Sequence, residues 1–428
     1  MELFWTIVFG LLFFALLMAS VALHEIGHLL PAKLFGVRVP QYFVGFGRTL
    51  WSTRRGETEY GIKLFPLGGF VRLLGMYPPA RPGARQTWLQ RFADDARSYE
   101  WDDITPTDVS AGRLFFQKRT HQKLIIMAGG ITMNLLLAFL LFWGVSALHG
   151  NWREQPVVRG IQQCIIAEQR DDTTCRPTDE PTPAAAAGLV AGDRIVSFNG
   201  TPIVDYPQLT GLIRANLDRP ATLVVERDGA RVTLPTVPTR IAGVRDTLDP
   251  AKVVPAGWLG VLPTVEKVHG GPVSVLKDMG TMTVQSVVAL VQFPVKVWHV
   301  VVGMVTGQPR DVYGPISIVG ASALAGEAAV QEAPIADRAA LFASLLGSIN
   351  LFLALFNLVP LPPLDGGHIM GALWEWVRRT AARLTGRPDP GPVDTAKMVP
   401  VAYAVGGFLL LCGIVLIVAD IVSPVKIF

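Results

Sequence analysis

Uncharged apolar positions gather into four long runs, at residues 3–23, 124–148, 341–364 and 398–419. Each holds about 20 residues or slightly more, the length a helix needs to cross some 30 Å of hydrocarbon. After the first run the pattern shortens. Residues 42–47, 60–64 and 68–73 are rich in glycine, aromatic and β-branched residues, which predicts short strands joined by turns at the membrane face. Residues 78–112 are more polar, with mixed charge around 94–103, and predict a solvated loop with some helix. Beyond the second run, residues 170–187 read as loop. They are followed by a helical pattern at 206–216 and a strand pair at 221–227 and 231–237 around Asp228-Gly229. Residues 279–295 are uncharged but interrupted by Pro294 and flanked by Lys277, Asp278 and Lys296, and 280–307 is expected to lie as amphipathic helices on the outer membrane surface.

Charge orients this pattern. Net charge is only +4, but residues 33–123 carry 15 Lys/Arg against 8 Asp/Glu, a balance of +7. Lys33, Arg38, Lys118, Arg119 and Lys123, and later Arg378, Arg379 and Arg383, flank the runs. The positive-inside tendency therefore places both of these loops in the cytoplasm and both termini outside it. Residues 149–270 are nearly neutral, with 13 Lys/Arg and 14 Asp/Glu, and face outward. Orientation accounts for the basic residues, so no nucleic-acid partner is expected. The sequence opens Met1-Glu2-Leu3 without a basic stretch, and the first run is read as a retained helix. Half the residues are apolar, more than an ordinary soluble enzyme carries. Three cysteines supply neither a disulfide scaffold nor a thiolate metal site. Cys412 reads as packing. Cys164 and Cys175 fall in the outward segment as a local disulfide or as two free thiols.

His24-Glu25-Ile26-Gly27-His28 ends the first run. On a helix, His24 and His28 share a face and can bind one metal ion, while Glu25 can reach a water held there. Ionisable groups at membrane depth are costly and point to function. Catalytic zinc takes three protein ligands, so a third is needed at matching depth. Asn357-Leu358-Val359-Pro360-Leu361-Pro362-Pro363-Leu364-Asp365-Gly366-Gly367-His368 offers Asp365 and, three residues on, His368. Asp365 is favoured because it lies nearer the hydrocarbon and precedes a glycine pair. Asn134 and Asn357 are polar groups in apolar runs. Asn357 is a candidate to hold a substrate backbone and Asn134 to support the site, with interhelical hydrogen bonding as the plainer alternative.

These residues carry a resemblance to the site-2 protease family of intramembrane zinc metalloproteases, bacterial type, similar to the regulator of sigma-E protease. The matching features are His24-Glu25-x-x-His28, Gly129-Gly130-x-x-x-Asn134, Gly314-Pro315-Ile316-Ser317 and residues 357–367. Residues 157–239, with Ala187-Gly188-Leu189-x-x-Gly192-Asp193-x-Ile195 before Asn199-Gly200, resemble a single bacterial PDZ domain. The resemblance implies one Zn2+ on His24, His28 and Asp365, Glu25 as general base, and a substrate-receiving β-loop containing Gly68, Gly69 and Phe70. Pro360 and Asn357 would contact substrate. It also implies cleavage of single-span membrane proteins, such as anti-sigma factors or remnant signal peptides, in regulated intramembrane proteolysis at the bacterial inner membrane. A peptide or C-terminus would bind the PDZ edge. Gly130 departs from the proline that many relatives carry, and a second PDZ copy is absent. The other classes considered are a metal transporter, a zinc-bound scaffold without proteolysis and a PDZ adaptor.

The expected fold class is a polytopic α-helical membrane protein with four transmembrane helices, a cytoplasmic membrane-associated β-loop and one inserted extracytoplasmic PDZ domain. Its parts are a first transmembrane helix with the metal motif (1–32), a cytoplasmic loop with a β-hairpin region (33–121) and a second transmembrane helix (122–149). The PDZ domain (155–245), amphipathic helices (270–335), a third transmembrane helix bearing the aspartate (338–371), a cytoplasmic loop (372–397) and a fourth transmembrane helix (398–422) complete it.

Overall fold

The computed structural model describes residues 1–80, 88–165, 175–176, 179–249 and 252–425. The chain divides into two compact units, one made of Met1–Val145 with Pro272–Phe428, the other of Ser146–Gly271.

In the first unit, α1 (Glu2–Leu34) runs well past the apolar residues 3–23 and carries the whole metal motif. A helix is what such a run must form in hydrocarbon, because it satisfies every backbone group internally. Gly36 takes a positive φ of 69° just after it, and the chain then enters β1 (Gln41–Arg55) and β2 (Thr58–Arg72). The expected short strands are two long ones. They fold back on themselves, so residues 41–44 have partners at 59–62 on one side and at 69–72 on the other. Among the described residues, 69–72 pair only with 41–44, which leaves their outer edge open. Helices α2 (Trp88–Trp101) and α3 (Pro106–Ser110) occupy the stretch expected to be loop with some helix, of which residues 81–87 lie outside the described residues. Then comes α4 (Thr120–Leu148).

The second unit contains β3 (Asn151–Ile161), α5 (Pro183–Ala186), β4 (Arg194–Phe198), β5 (Thr201–Pro202), α6 (Tyr206–Asn216) and β6 (Pro220–Ala221). It continues with β7 (Leu223–Arg227), β8 (Ala230–Thr233), β9 (Val237–Pro238), β10 (Arg240–Arg245), β11 (Val253–Trp258) and β12 (Val261–Val268). Its main sheet runs β12-β3-β4-β7-β8, with β5 beside β4. Alternating residues of β4 and β7 (Ile195, Leu223, Val225) meet Leu209 and Ile213 of α6 in one core. The two turns legible in the sequence, Asn199-Gly200 and Asp228-Gly229, both have positive φ at both residues, as tight hairpins require. The unit is wider than residues 155–245, because β12 returns to pair with β3 along its length. Cys164 and Cys175 form a disulfide.

Asp193 anchors this unit. Its fully buried carboxylate accepts from Arg227 Nε (2.7 Å) and Nη2 (2.8 Å) and from the Val190 amide (3.0 Å). Burial alone would push its carboxyl up, but Arg227 and the amide hold it below the ordinary range. A depressed folded pKa stabilises above the unfolded value of about 4 and the benefit is lost as pH falls through the folded value. Asp193→Asn should therefore cost about 1–2 kcal/mol at neutral pH, the lower end because Arg227 is 33% exposed. Protease susceptibility of the full chain should show the loss at pH 7, and the gap between parent and variant should narrow as pH falls below about 4.

The remaining helices belong to the first unit: α7 (Pro272–Thr306), α8 (Ile318–Val330), α9 (Ile335–Asn357), α10 (Asp365–Leu384) and α11 (Val399–Val422). The structure departs from expectation at two points. Among the described residues five helices are long and apolar enough to cross a membrane, the fifth being α7, one continuous 35-residue helix that includes residues 280–307. Pro294 does not divide α7. A full crossing by α7 would put the two histidines and Asp365 at opposite faces of a membrane. Ser322 lies against Gly10 and Gly326 against Thr6, so α8 runs antiparallel to α1. The second correction is that Asp365 does not end the third span. That helix stops at Asn357, and Asp365 opens α10, which fills much of the expected loop at 372–397. Three prolines, at 360, 362 and 363, cannot continue the helix, and a carboxylate is favourable in a first turn. Cys412 is buried against Val297, Val300 and Leu416, as packing.

Candidate metal centre

Residues without side chains position the histidines. Gly27 of α1 faces Gly129 of α4, and a Cβ on either would collide with the other's carbonyl. The two backbones therefore touch. The next residue, Gly130, faces both rings: a Cβ there would lie 2.7 Å from His24 Cε1 and 2.8 Å from His24 Nε2, and closer still to His28 Nε2. The Ile126 carbonyl, also on α4, meets His28 Nδ1 at 2.8 Å. A carbonyl only accepts, so Nδ1 carries the proton and Nε2 keeps its lone pair.

Asp365 arrives from the far end of the chain. Gly366 and Gly367 pack against the backbone of Leu358, Val359 and Pro362, an approach a side chain would block. The carboxylate then reaches both rings: Asp365 Oδ2 lies 3.3 Å from His24 Nε2 and 3.2 Å from His28 Nε2, and the two Nε2 atoms are 3.2 Å apart. Three donors thus form a nearly equilateral triangle. A tetrahedral ion with bonds of about 2.0–2.1 Å sets its ligands about 3.3 Å apart. Among the described residues, Asp365 Oδ2 and His24 Nδ1 are buried without a hydrogen-bond partner. Two imidazoles and a carboxylate are a donor set suited to zinc and leave a position open. His368, one turn farther along α10, stands outside the triad.

Glu25 is half-buried on α1 beside the β-hairpin. A Cβ on Gly69 would sit 3.1 Å from Glu25 Cγ, and the Val71 backbone amide hydrogen-bonds toward its carboxylate. Tyr42 Oη donates to the Ala22 carbonyl at 2.8 Å and ties the hairpin to α1. Phe70 stacks on Phe43 and Phe46, and Gly68, at φ 138°, lies against the Phe46 ring. Thus Gly68, Gly69 and Phe70 occupy one stretch of strand beside Glu25. Asn134 is buried one turn beyond Gly130, with Oδ1 unpartnered. Asn357 is half-buried at the end of α9, and Pro360 is exposed in the turn before Asp365. Neither is brought into the triad.

Sequence reasoning passed over Asn350, which is fully buried and donates to Ser20 Oγ at 3.2 Å. Ser20 sits one turn before His24, so this bond fixes α9 against the helix that carries His24 and His28. The signal was available: both are polar residues inside apolar runs. The Ile126 carbonyl had no signal, since nothing in a sequence marks one carbonyl among many.

Comparison with known proteins shows the family. Residues 12–387 match the model for Peptidase family M50. The chain is 33% identical over 434 residues to the zinc metalloprotease Rip1 of Mycobacterium tuberculosis, with 98% of each chain covered. It is 32% identical over 438 residues to Rip1 of Mycolicibacterium smegmatis, again with 98% of each covered. It is 27% identical over 373 residues to the metalloprotease MmpA of Caulobacter vibrioides, with 85% of each covered. A family match of this extent and relatives alignable end to end place the chain in peptidase family M50.

Proposed function

We propose that this chain is a zinc endopeptidase that cleaves single-span membrane proteins within the bilayer, and that His24, His28 and Asp365 hold its zinc. The observation that carries this is the triad itself, converging at the end of apolar helices with a carboxylate beside it. When bound, zinc supplies Lewis acidity, making water nucleophilic near neutral pH and polarising a carbonyl. The protein supplies the rest. Glu25 takes the proton from the attacking water and delivers it to the leaving amine, so one carboxylate serves as base and then acid. The open edge of β2 at residues 69–72, next to Glu25, receives the substrate as an added strand, because a helical substrate must unwind to expose its amides. Asn357 and Pro360, in and beside the turn that ends α9, contact that strand. Asn134 supports the histidine face from α4.

The setting follows from charge and parity. The chain is a multi-pass protein of the bacterial inner membrane. The basic flanks put the metal centre toward the cytoplasm and both termini outside it. In this reading α1, α4, α9 and α11 make four crossings, while α7 and α8 enter from the outer side and return to it. The unit Ser146–Gly271 is a single PDZ domain, supported by its two tight turns and the sheet packed against α6, and it screens substrates through a peptide or C-terminus. Anti-sigma factors and remnant signal peptides are the substrate types that suit such a site.

The purified full-length chain, reconstituted with a tagged single-span protein, tests this. Cleavage should fall within the apolar segment, stop on chelation and return with zinc. Phe70→Pro, which breaks pairing with Phe43, should keep zinc and lose about tenfold or more in cleavage. Cleavage that survives chelation, or that falls only outside the apolar segment, would reject the proposal.

A further inference from the structure

Where α4 begins and α10 passes it, the surface opens into a cavity of about 750 Å³, within the range of ligand sites. Its charged lining is basic. Arg119 comes from just before α4, and Arg379 and Arg383 from α10. No carboxylate lines it among the described residues. Leu124, Leu373 and Trp376 form the apolar part of the wall. The Arg119 and Arg383 side chains have no hydrogen bond or ion pair among the described residues. Arg379 reaches Glu375 and Asp389 at 3.4 Å each. Lys123 of α4 and Glu375 of α10, each next in sequence to a lining residue, make a buried pair at 2.9 Å that joins the two helices walling the cavity, with both side chains 4% exposed.

Position decides what such a cavity can take. It lies at the membrane end of α4, the end at which Gly129 and Gly130 meet the histidines. α10 is amphipathic: Leu373, Trp374, Trp376 and Val377 are exposed, as is Arg383, while Arg378 and Arg379 are half-buried. Aromatic and basic side chains on one short helix are the composition of an element lying in the headgroup layer. Guanidinium groups suit phosphate oxygens, and basic pockets between helices at this face take the headgroups of anionic lipids. We propose that this cavity binds the phosphate headgroup of an anionic glycerophospholipid, whose chains run down past Leu124 and Leu373. Since α10 begins with Asp365, the bound lipid would brace the helix that presents the third metal ligand.

The full-length chain should be tested in nanodiscs of equal phosphatidylglycerol and phosphatidylcholine, followed by mild delipidation and native mass spectrometry. The parent should retain phosphatidylglycerol preferentially. Arg119→Gln with Arg383→Gln removes two cations without breaking an observed ion pair, and should reduce that preference about tenfold or more. The corresponding double Lys variant should recover part of it. Unchanged zinc content would show that the Gln variant is folded. A preference that is absent in the parent, or intact in the Gln variant, overturns the proposal. So does displacement of the retained lipid by glycerol phosphate, which would mark a site for soluble phosphates. None of these readouts depends on proteolysis, so the cavity can fail while the peptidase stands, and the reverse.

Discussion

Glu25→Gln should abolish cleavage, by about 10³-fold or more, while zinc stays bound at one per chain. The amide matches the carboxylate in size but cannot accept the water proton, and positioned acid–base groups commonly contribute about 10²–10⁴-fold. Zinc should be spared because Glu25 stands outside the triad of His24, His28 and Asp365. Its surroundings should be spared as well, since a Gln carbonyl can still accept from the Val71 amide. Metal analysis and a cleavage assay on the same preparation read both halves. This also separates a peptidase from a zinc-stabilised scaffold or a PDZ adaptor, neither of which needs a base beside the metal. Normal cleavage by the variant would remove Glu25 from the chemistry.

The second large effect is expected at a residue that touches no substrate. Gly130→Ala should strip the site of metal. Its Cβ would stand 2.7–2.8 Å from the His24 ring and closer to His28 Nε2, so the ring edges that should face the ion must turn away or α4 must withdraw. Withdrawal is opposed by the backbone contact between Gly27 and Gly129, one residue earlier. Groups that orient metal ligands commonly change affinity by about 10–100-fold. A direct clash with the donor atoms belongs at or beyond the upper end. The variant should be purified with less than one zinc per chain and regain activity only at raised zinc concentration. Full occupancy with ordinary activity would show that the rings can move aside.

Much of this was legible because it rests on local rules. Apolar run length fixed the four long helices α1, α4, α9 and α11. The Asn199-Gly200 and Asp228-Gly229 pairs marked their turns, and spacing placed His24 and His28 on one face. Asp365 over His368 could be argued from depth. Other features depended on contacts far apart in the chain. The doubled pairing of residues 41–44 has no local pattern, because short strands and a long strand that folds back look alike along a sequence. Whether residues 280–307 form one helix or several was not legible, because Pro294 and the flanking charges argue for interruption, yet proline can be carried within a helix when neighbours and side chains satisfy the backbone. The start of α10 at Asp365 was missed because the apolar run continues to residue 364, while three prolines had already ended the helix at Asn357.

The triad joins residue 24 to residue 365, and a whole separate unit is folded from the chain between them. During synthesis, His24 and His28 are laid down almost at once, but their partner comes last of the three. On the proposed ligand set, no nascent or prematurely ended chain that stops short of residue 365 could complete the metal centre, so activity would have to wait until nearly all of the protein has been made.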